Sequence, residues 1–286
     1  MANLKEIRNR IASVKSTMQI TSAMKMVSAA KLKKAQDAIT AMRPYADKLT
    51  ELLQNFSSSL DGDVGGTYAD VREVNKVLVV AITSNRGLCG AFNSNIIKQC
   101  VSLYQEKYNG KQVDFVTIGK KGDDILGKNY TILSNHNDIF DDLTFENVAQ
   151  VAENLMQRFT EGEYDRIELI YNKFKNAATQ IVMTEQFLPI VPVTDENTVS
   201  ADYIFEPSKP EIVQELIPKS LKTQLFKAVR DSFASEHGAR MTAMHKATDN
   251  ASELKDQLTL TYNKARQAAI TNEILEIVGG AEALKS

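Results

Sequence analysis

The chain has 286 residues, of which 43% are hydrophobic and 24% charged, and a formal net charge of −2. This length suits two modest domains, or one domain with long extended elements, and the composition excludes a disordered or fibrous chain. The longest apolar runs, such as residues 77–82, are far shorter than the roughly 20 residues that cross a bilayer, so we expect a soluble, unprocessed chain.

The first 60 residues predict one long helix. Apolar residues recur at alternating intervals of three and four, which places them on one stripe of a helix, as in a coiled coil. The stripe slips in phase near Met24 and Val27, and we expect Pro44 to kink the helix rather than end it. The stripe residues are Leu4, Ile7, Ile11, Val14, Met18, Ala35, Ile39, Met42, Ala46, Leu49, Leu53 and Phe56.

This N-terminal segment also carries a local excess of positive charge. The basic side chains outnumber Glu6 and Asp37, the acidic residues among positions 1–37. A basic helical arm suits nucleic acid, an anionic lipid surface or an acidic protein surface, and charge alone does not choose among them. The basic residues are Lys5, Arg8, Arg10, Lys15, Lys25, Lys31, Lys33 and Lys34.

After glycines at 62, 65 and 66, the pattern changes to alternating strand and helix. Residues 77–82 form a continuous β-branched run typical of a strand that is buried on both faces. The alternation predicts a small, mostly parallel, Rossmann-like α/β sheet with flanking helices. Further strands are predicted at 113–118, 167–171 and 180–183, and helices at 93–108 and around 148–159.

The C-terminal part predicts a second long helix. A short helix from near Ser208 and Pro210 is expected to stop at Pro218, and no proline follows it. Its apolar stripe is predicted at Met244, Ala247, Ala251, Leu254 and Leu258, with a second register at Ile270, Ile274, Ile277, Ala281 and Leu284.

Two such long helices cannot bury their stripes on a small core, so we expect them to pair as an antiparallel coiled coil. The alternative is two ordinary core helices of lesser length. The predicted organisation is a coiled-coil helix at 1–60, an α/β domain at 61–207 and a coiled-coil helix at 208–286.

Two segments invite a search for ligand chemistry. Residues 122–129 match a phosphate-binding loop except at Asn129, where the motif needs a hydroxyl to hold Mg²⁺. Asp123 and Asp124 would repel phosphates, and residues 130–133 look extended where a helix is required, so a nucleotide-binding enzyme is a disfavoured alternative.

Residues 84–90 follow the first strand, where α/β sheets bind ligands, but we interpret them as a tight turn with a packed Cys89 rather than a ligand site.

No residue constellation indicates catalysis. His136, His237 and His245 are too scattered for a metal site, and the two cysteines, Cys89 and Cys100, are too few for a disulfide framework, which favours a reducing cytosol. We therefore expect no catalytic residue, no cofactor and no metal.

Three segments resemble the gamma subunits of F-type ATP synthases of the bacterial type: residues 21–27 (TSAMKMV), 86–90 (RGLCG) and 265–271 (ARQAAIT). The likeness extends over essentially the whole chain. The C-terminal signature of that family is matched by Ile270, Thr271, Glu273, Glu276, Gly280 and Ala281.

The resemblance implies a non-catalytic rotor. Its paired helices would stand inside a hexamer of alternating alpha and beta subunits, and its α/β domain would lie toward the membrane with the epsilon subunit and the c-ring. Ion flow through the ring would turn the shaft and drive ATP synthesis, at the cytoplasmic face of a bacterial membrane. The apolar tip at 274–284 would turn in an apolar sleeve. The inserted dithiol segment of chloroplast members is not found, so no thiol regulation is expected.

The resemblance also assigns contacts. Arg266 and Gln267 match residues that hydrogen-bond a catch loop of the beta subunit, and Met24 and Arg240 match positions linked to coupling. Lys25 belongs to the basic residues that suit acidic beta-subunit segments, an interpretation that now outweighs nucleic acid. From the residues alone, Met24 is a stripe residue and Arg266 a solvated charge. A basic coiled-coil nucleic-acid binder remains the alternative function.

Overall fold

A computed structural model describes residues 4–57, 68–190 and 209–283. They form two compact units, which we call the helix-pair unit (the described parts of 1–28 and 241–286) and the sheet unit (the described part of 29–240). Both predicted domain boundaries, at 60/61 and 207/208, lie outside the described residues, so that three-part division stays a prediction. The predicted stripe residues Leu53, Phe56 and Leu284 are likewise outside the residues whose side chains are described.

The sheet unit is built on a five-stranded sheet in the order β3-β2-β1-β4-β5. The first four strands are mutually parallel and β5 runs antiparallel to β4, which confirms the predicted mostly parallel sheet. Because β1 lies at the centre, its residues are buried on both faces, and this explains its continuous apolar run. The strands are β1 (Lys76–Ile82), β2 (Gln112–Ile118), β3 (Ile132–Asn135), β4 (Arg166–Phe174) and β5 (Gln180–Leu188).

Helices cover both faces of the sheet. Alternate residues of β1 point to opposite faces, so Leu78 and Val80 pack with α4 in one core, whereas Val77 and Val79 pack with α2 in the other. The start of α4 is capped by Thr144, whose hydroxyl accepts from the backbone N–H three residues later. These helices are α2 (Phe92–Ser102), which continues as a π-helical turn (Leu103–Lys107), α3 (Lys120–Leu126) and α4 (Phe145–Thr160).

The two terminal helices are α1 (Leu4–Ser57) and α5 (Lys209–Ala283). As predicted, Pro44 lies inside α1. The expectation that Pro218 stops a helix is wrong, because it lies inside α5. An internal proline costs about 3 kcal/mol. Ile217, Leu221 and Leu225 lie near Pro218 on one face of α5 and are buried in the core with α4. Burial of each side chain contributes about 1.5–3 kcal/mol, which offsets the cost of the proline.

The apolar stripe of α1 has no phase slip, contrary to the prediction. Thr21 and Ser28 are buried and Lys25 is half-buried, and these positions continue the four-three alternation from Met18 to Leu32. The hydroxyls of Thr21 and Ser28 donate to carbonyls in the preceding turn at 3.2 and 2.8 Å, so they tolerate burial. A search for apolar residues alone overlooks such positions.

In the helix-pair unit, α1 and α5 pack against each other. The Thr21 and Thr248 hydroxyl oxygens are 2.8 Å apart, and Arg8 donates from Nη2 to the Tyr262 hydroxyl at 2.8 Å. Arg8 precedes Thr21 in α1 whereas Tyr262 follows Thr248 in α5. This opposite order confirms the predicted antiparallel pairing.

The buried stripe of α5 differs in part from the prediction. Met244 and Ala251 are buried as predicted, but Leu254 is 39% exposed, because the alternation passes through its neighbour Lys255. In the predicted second register, Ile270, Ile274 and Ile277 are exposed. Half-buried positions complete the observed stripe at Thr248, Lys255, Leu258, Tyr262, Ala265 and Ala269.

Candidate functional site

The strand order of the sheet reverses between β1 and β4, and open α/β sheets bind ligands outside the carboxyl ends of the strands at such a point. Residues 84–90 follow β1 directly, which places them at this edge. We call residues 84–90 the β1 loop. Its contacts decide whether it is a ligand loop or a tight turn.

The β1 loop is held closed by Asn93, near the start of α2. The Ser84 amide donates to Asn93 Oδ1 at 2.9 Å, and Asn93 Nδ2 donates to Ser84 Oγ at 2.8 Å and to Cys89 Sγ at 3.3 Å. Cys89 is buried, and burial raises the pKa of its thiol, which disfavours the reactive thiolate. The loop is therefore the tight strand-to-helix turn with a packed cysteine that we favoured.

Helix α5 fills the edge of the sheet where a ligand would bind. Arg240 donates to the carbonyl oxygens of Arg86, at 3.1 Å, and of Gly87, and its Nη2 also pairs with Glu236 Oε1 at 2.6 Å. At the end of β4, Ser235 Oγ donates to the Asn172 carbonyl at 2.9 Å. The carbonyl groups of Arg86 and Gly87 in the β1 loop are thus bound by the chain itself. We call the contact of Glu236 and Arg240 with the β1 loop the clasp.

The segment resembling a phosphate-binding loop has the wrong conformation for that function. Its first five residues lie inside α3, and the Gly122 amide donates to Thr83 Oγ1 at 2.8 Å. Asp124 pairs with Lys121 at 2.7 Å. Its leading amide is therefore bound by the protein rather than directed at a phosphate, which removes the basis for the nucleotide-binding alternative.

The histidines occupy three separate environments. His136 is half-buried and lies 3.0 Å from Ser134 Oγ, His245 is exposed beside Asp249 at 3.3 Å, and His237 is buried. Within residues 4–57, 68–190 and 209–283, no three His, Cys, Asp or Glu side chains cluster in a way that suits a metal ion.

Neither ring nitrogen of His237 forms a hydrogen bond with any of the described residues. The ring of Phe233 packs edge-on against it, with the centroids 4.5 Å apart. Burial, and then the charges of Lys31 and Arg240, lower the pKa of His237 to about 4. The folded chain therefore keeps this imidazole neutral.

We expect the stability of the chain to fall as the pH is lowered from about 6.5 to about 4. In this window the unfolded chain binds a proton that folded His237 does not, so stability rises with pH by up to about 1.4 kcal/mol per unit. Urea unfolding at a series of pH values measures the slope. His237→Leu should remove this contribution and His245→Leu, at an exposed position, should keep it. An unchanged slope in His237→Leu would contradict the assignment.

The predicted contact residues lie in both units. In the helix-pair unit, Met24 and Lys25 are half-buried on α1, and Arg266 and Gln267 are exposed on α5. Arg240 lies in the sheet unit and is buried. The sequence analysis missed Glu236, although its position four residues before Arg240 is the usual spacing of a helical ion pair.

The chain combines a pair of long antiparallel helices with a five-stranded α/β sheet, and chains of known structure share this fold. A chain in the Euglena gracilis mitochondrial ATP synthase structure (OSCP/F1/c-ring, rotational state 3) has the same fold, with a TM-score of 0.70, 23% identity, and coverage of 98% of this chain and 94% of that one. A chain of the Tetrahymena thermophila enzyme (central stalk/c-ring) matches with a TM-score of 0.62 and 26% identity, over 80% of this chain and 99% of that one.

Sequence comparison identifies the family. The ATP synthase family profile matches residues 3–284. The ATP synthase gamma chain of Flavobacterium johnsoniae is 75% identical over 99% of each chain, and that of Christiangramia forsetii 67% identical over 99% of each. The chain belongs to the ATP synthase gamma-chain family, whose members are non-catalytic central-stalk subunits. Nothing in these comparisons supports the nucleic-acid alternative.

Proposed function

We propose that this chain is the rotating shaft that couples ion flow through a membrane ring to ATP synthesis and hydrolysis. Its partners are a hexamer of alternating alpha and beta subunits, an epsilon subunit and a c-ring. The observation that carries this proposal is the uncovered apolar end of α5 in the helix-pair unit. Rotation requires a stiff element that contacts its surroundings without permanent polar bonds, and paired helices with an apolar end have both properties.

The end of α5 is largely apolar, with Glu276 and Glu282 as the charged residues among positions 274–283, and it is open to contact. Ile274, Leu275 and Ile277 are 55%, 63% and 71% exposed. At Gly279 and Gly280, a β-carbon would meet no atom within 4 Å. Exposed apolar patches of this kind mark surfaces that a partner covers. An apolar sleeve formed by the hexamer would bury this end and still allow it to turn.

The association with the membrane is peripheral in this proposal, at the cytoplasmic face of a bacterial cell membrane. None of the described helices combines the length and the apolar character that a membrane crossing needs. The similar gamma chains come from the bacteria Flavobacterium johnsoniae and Christiangramia forsetii, which supports a bacterial setting. The Tetrahymena structure contains a central stalk together with a c-ring, which supports such a ring as the membrane-side partner of this chain.

Four predicted contact residues keep that role in the proposal. Arg266 and Gln267 are exposed on α5, where a guanidinium and an amide are free to hydrogen-bond a catch loop of the beta subunit. Met24 and Lys25 lie half-buried on α1, and the cation suits acidic beta-subunit segments. Arg240 differs from these four, since it is buried.

The first test of the proposal is ATP hydrolysis by alpha and beta subunits from the same organism, with and without this chain. We expect a stable complex with one copy of the chain per hexamer and strongly raised turnover. An absence of both complex and activation would refute the rotor function. Salt-dependent DNA binding by the chain alone would instead favour the basic coiled-coil alternative.

The double substitution Arg266→Ala and Gln267→Ala is expected to lower ATP hydrolysis by the reconstituted complex about tenfold, since a hydrogen bond to a charged group contributes about 1.5–3 kcal/mol. Steady-state turnover at saturating ATP measures the effect. Lys264→Ala removes a charge at a neighbouring exposed position and serves as the control. Equal turnover in the double variant and the control would exclude a catch-loop contact at these residues.

A further inference from the structure

The clasp leaves Arg240 little capacity to bind another subunit. Both Arg240 and Glu236 are 8% exposed, and the guanidinium already donates to Glu236 and to the carbonyls of Arg86 and Gly87. The guanidinium has five N–H donors in a fixed planar arrangement, and because the side chain is buried, a partner could reach it only if it left these acceptors. The resemblance links Arg240 to coupling, and the contacts of its guanidinium point to Glu236 and the β1 loop as the groups through which it would act.

Glu236 is the acid that keeps this guanidinium in place. Its Oε1 lies 2.6 Å from Arg240 Nη2, one helical turn away on α5. Besides Arg240, the cations Lys31 and Arg86 act on its carboxylate. Without that negative charge the buried guanidinium would lose its counterion and would still face the positive charges of Lys31 and Arg86, which are exposed.

The β1 loop has a conformation that needs such support. Leu88 has a φ of +64°, in the left-handed region that a leucine rarely adopts, and its side chain is 68% exposed. Side-chain packing therefore does not hold this residue. The carbonyl of Gly87, immediately before it, is bound by Arg240, and Cys89, immediately after it, is bound by Asn93. The loop is fixed on both sides of the strained residue.

We propose that Glu236 is a positioning residue, which holds Arg240 against the β1 loop and thereby fixes the loop surface that carries Leu88. Arg240 acts on coupling through this loop and not by contact with the beta subunit. The clasp itself is a property of the isolated chain. Its effect on coupling rests on the proposed rotor function, so the two are tested separately.

The chain contains a matched control for the clasp. Lys222 on α5 pairs with Glu153 on α4 at 2.5 Å, so this ion pair also ties α5 to the sheet unit. Its side chains are 25% and 57% exposed, unlike the buried pair. Lys222→Met removes a charge and an ion pair from α5 but leaves the β1 loop untouched.

The native cysteines report opening of the clasp. Cys89 lies in the β1 loop, and Cys100 lies on α2 in the core between that helix and the sheet; both are buried as free thiols. Maleimide labelling of the full chain, read peptide by peptide in a mass spectrometer, measures each separately. We expect Glu236→Gln to raise the labelling rate of Cys89 about tenfold, corresponding to about 1.4 kcal/mol, with that of Cys100 unchanged. Lys222→Met should change neither rate.

Two results of the labelling would overturn the proposal. Unchanged labelling of Cys89 in Glu236→Gln would mean that the carboxylate does not hold the loop. A parallel rise at Cys89 and Cys100 would mean that the substitution only destabilises the whole chain. Neither result depends on the rotor function.

The effect on coupling is measured in the complete membrane-bound complex, as the ratio of ATP-driven ion pumping to ATP hydrolysis. We expect Glu236→Gln and Arg240→Gln each to lower this ratio at least twofold, and the double variant to lower it no further, because both act through one contact. Lys222→Met should keep the wild-type ratio. Fast labelling of Cys89 in Glu236→Gln, together with an unchanged pumping-to-hydrolysis ratio, would overturn the coupling role of the clasp. Failure of the wild-type chain to activate the hexamer would instead refute the rotor function alone.

Discussion

Replacing Gly119 with alanine is expected to lower the free energy of unfolding by about 4 kcal/mol, combining backbone strain and overpacking of about 1–3 kcal/mol each. Gly119 joins β2 to α3 with a φ of +107°. A β-carbon there would lie 2.2 Å from the Thr83 carbonyl oxygen, a backbone atom of the residue that follows β1. The alanine therefore requires the central strand and the neighbouring turn to move apart. Urea unfolding measures the loss.

Gly110→Ala is the matched control for this prediction. Gly110 also has a positive φ, +78°, but a β-carbon there would meet no atom within 4 Å. Its cost should be about 1 kcal/mol, from the backbone conformation alone. If the two alanine variants lost the same stability, the close approach of Gly119 to β1 would be excluded as the cause.

The parts of the fold predicted most accurately are those with a repeating pattern along the chain. The central strand was expected at 77–82 and runs from Lys76 to Ile82, and the second at 113–118 runs from Gln112 to Ile118. Both are buried on two faces, where apolar residues predominate, although β2 also buries Asp114 and Thr117. The strand predicted at 180–183 continues to Leu188. The prediction ends too early because the polar residues Thr184, Glu185 and Gln186 interrupt the apolar pattern.

Short elements were harder to predict. The seven residues of α3 make about two turns, too few for a stripe to emerge, and its sequence instead resembled a phosphate-binding loop. The helix expected at 93–108 is α2 followed by a π-helical turn. Nothing in the local pattern distinguishes that turn from α-helix. At its end, Lys107 and Tyr108 are directed toward β4, where both donate to Glu168.

The candidate site needed the tertiary structure for a different reason. Glu236 and Arg240 have the spacing of a helical ion pair, which is visible in the sequence. Their target, the β1 loop, is more than 150 residues earlier in the chain. No periodicity states which part of α5 passes the carboxyl end of β1, because that depends on the strand order. A resemblance to a family supplied Arg240 as a functional position but not the group that it binds.

The second large effect concerns a buried carboxylate in the sheet. Glu168→Ala is expected to lower the free energy of unfolding by about 3 kcal/mol, near the lower end of the cost of removing one partner from a buried ion pair. Glu168 is 1% exposed on β4, where its Oε1 accepts from the Tyr108 hydroxyl and from Lys107 Nζ at 2.6 Å. Arg166 Nε lies 3.8 Å away.

The expected cost is at the lower end because the groups left behind differ in exposure. The Lys107 side chain is 47% exposed and can turn toward water, which recovers part of the lost interaction. Tyr108 is 3% exposed, so its hydroxyl would remain buried without this acceptor. Most of the loss should therefore come from the tyrosine and from Arg166.

A double-mutant cycle separates these contributions. Tyr108→Phe alone should cost about 1 kcal/mol, since the carboxylate keeps Lys107 as a partner. Once the tyrosine hydroxyl is absent, Glu168→Ala no longer leaves that group unsatisfied, so the double variant should lose less stability than the two single variants added together. Urea unfolding of the four proteins measures this coupling. Strict additivity would show that Glu168 acts on the sheet through its cations alone.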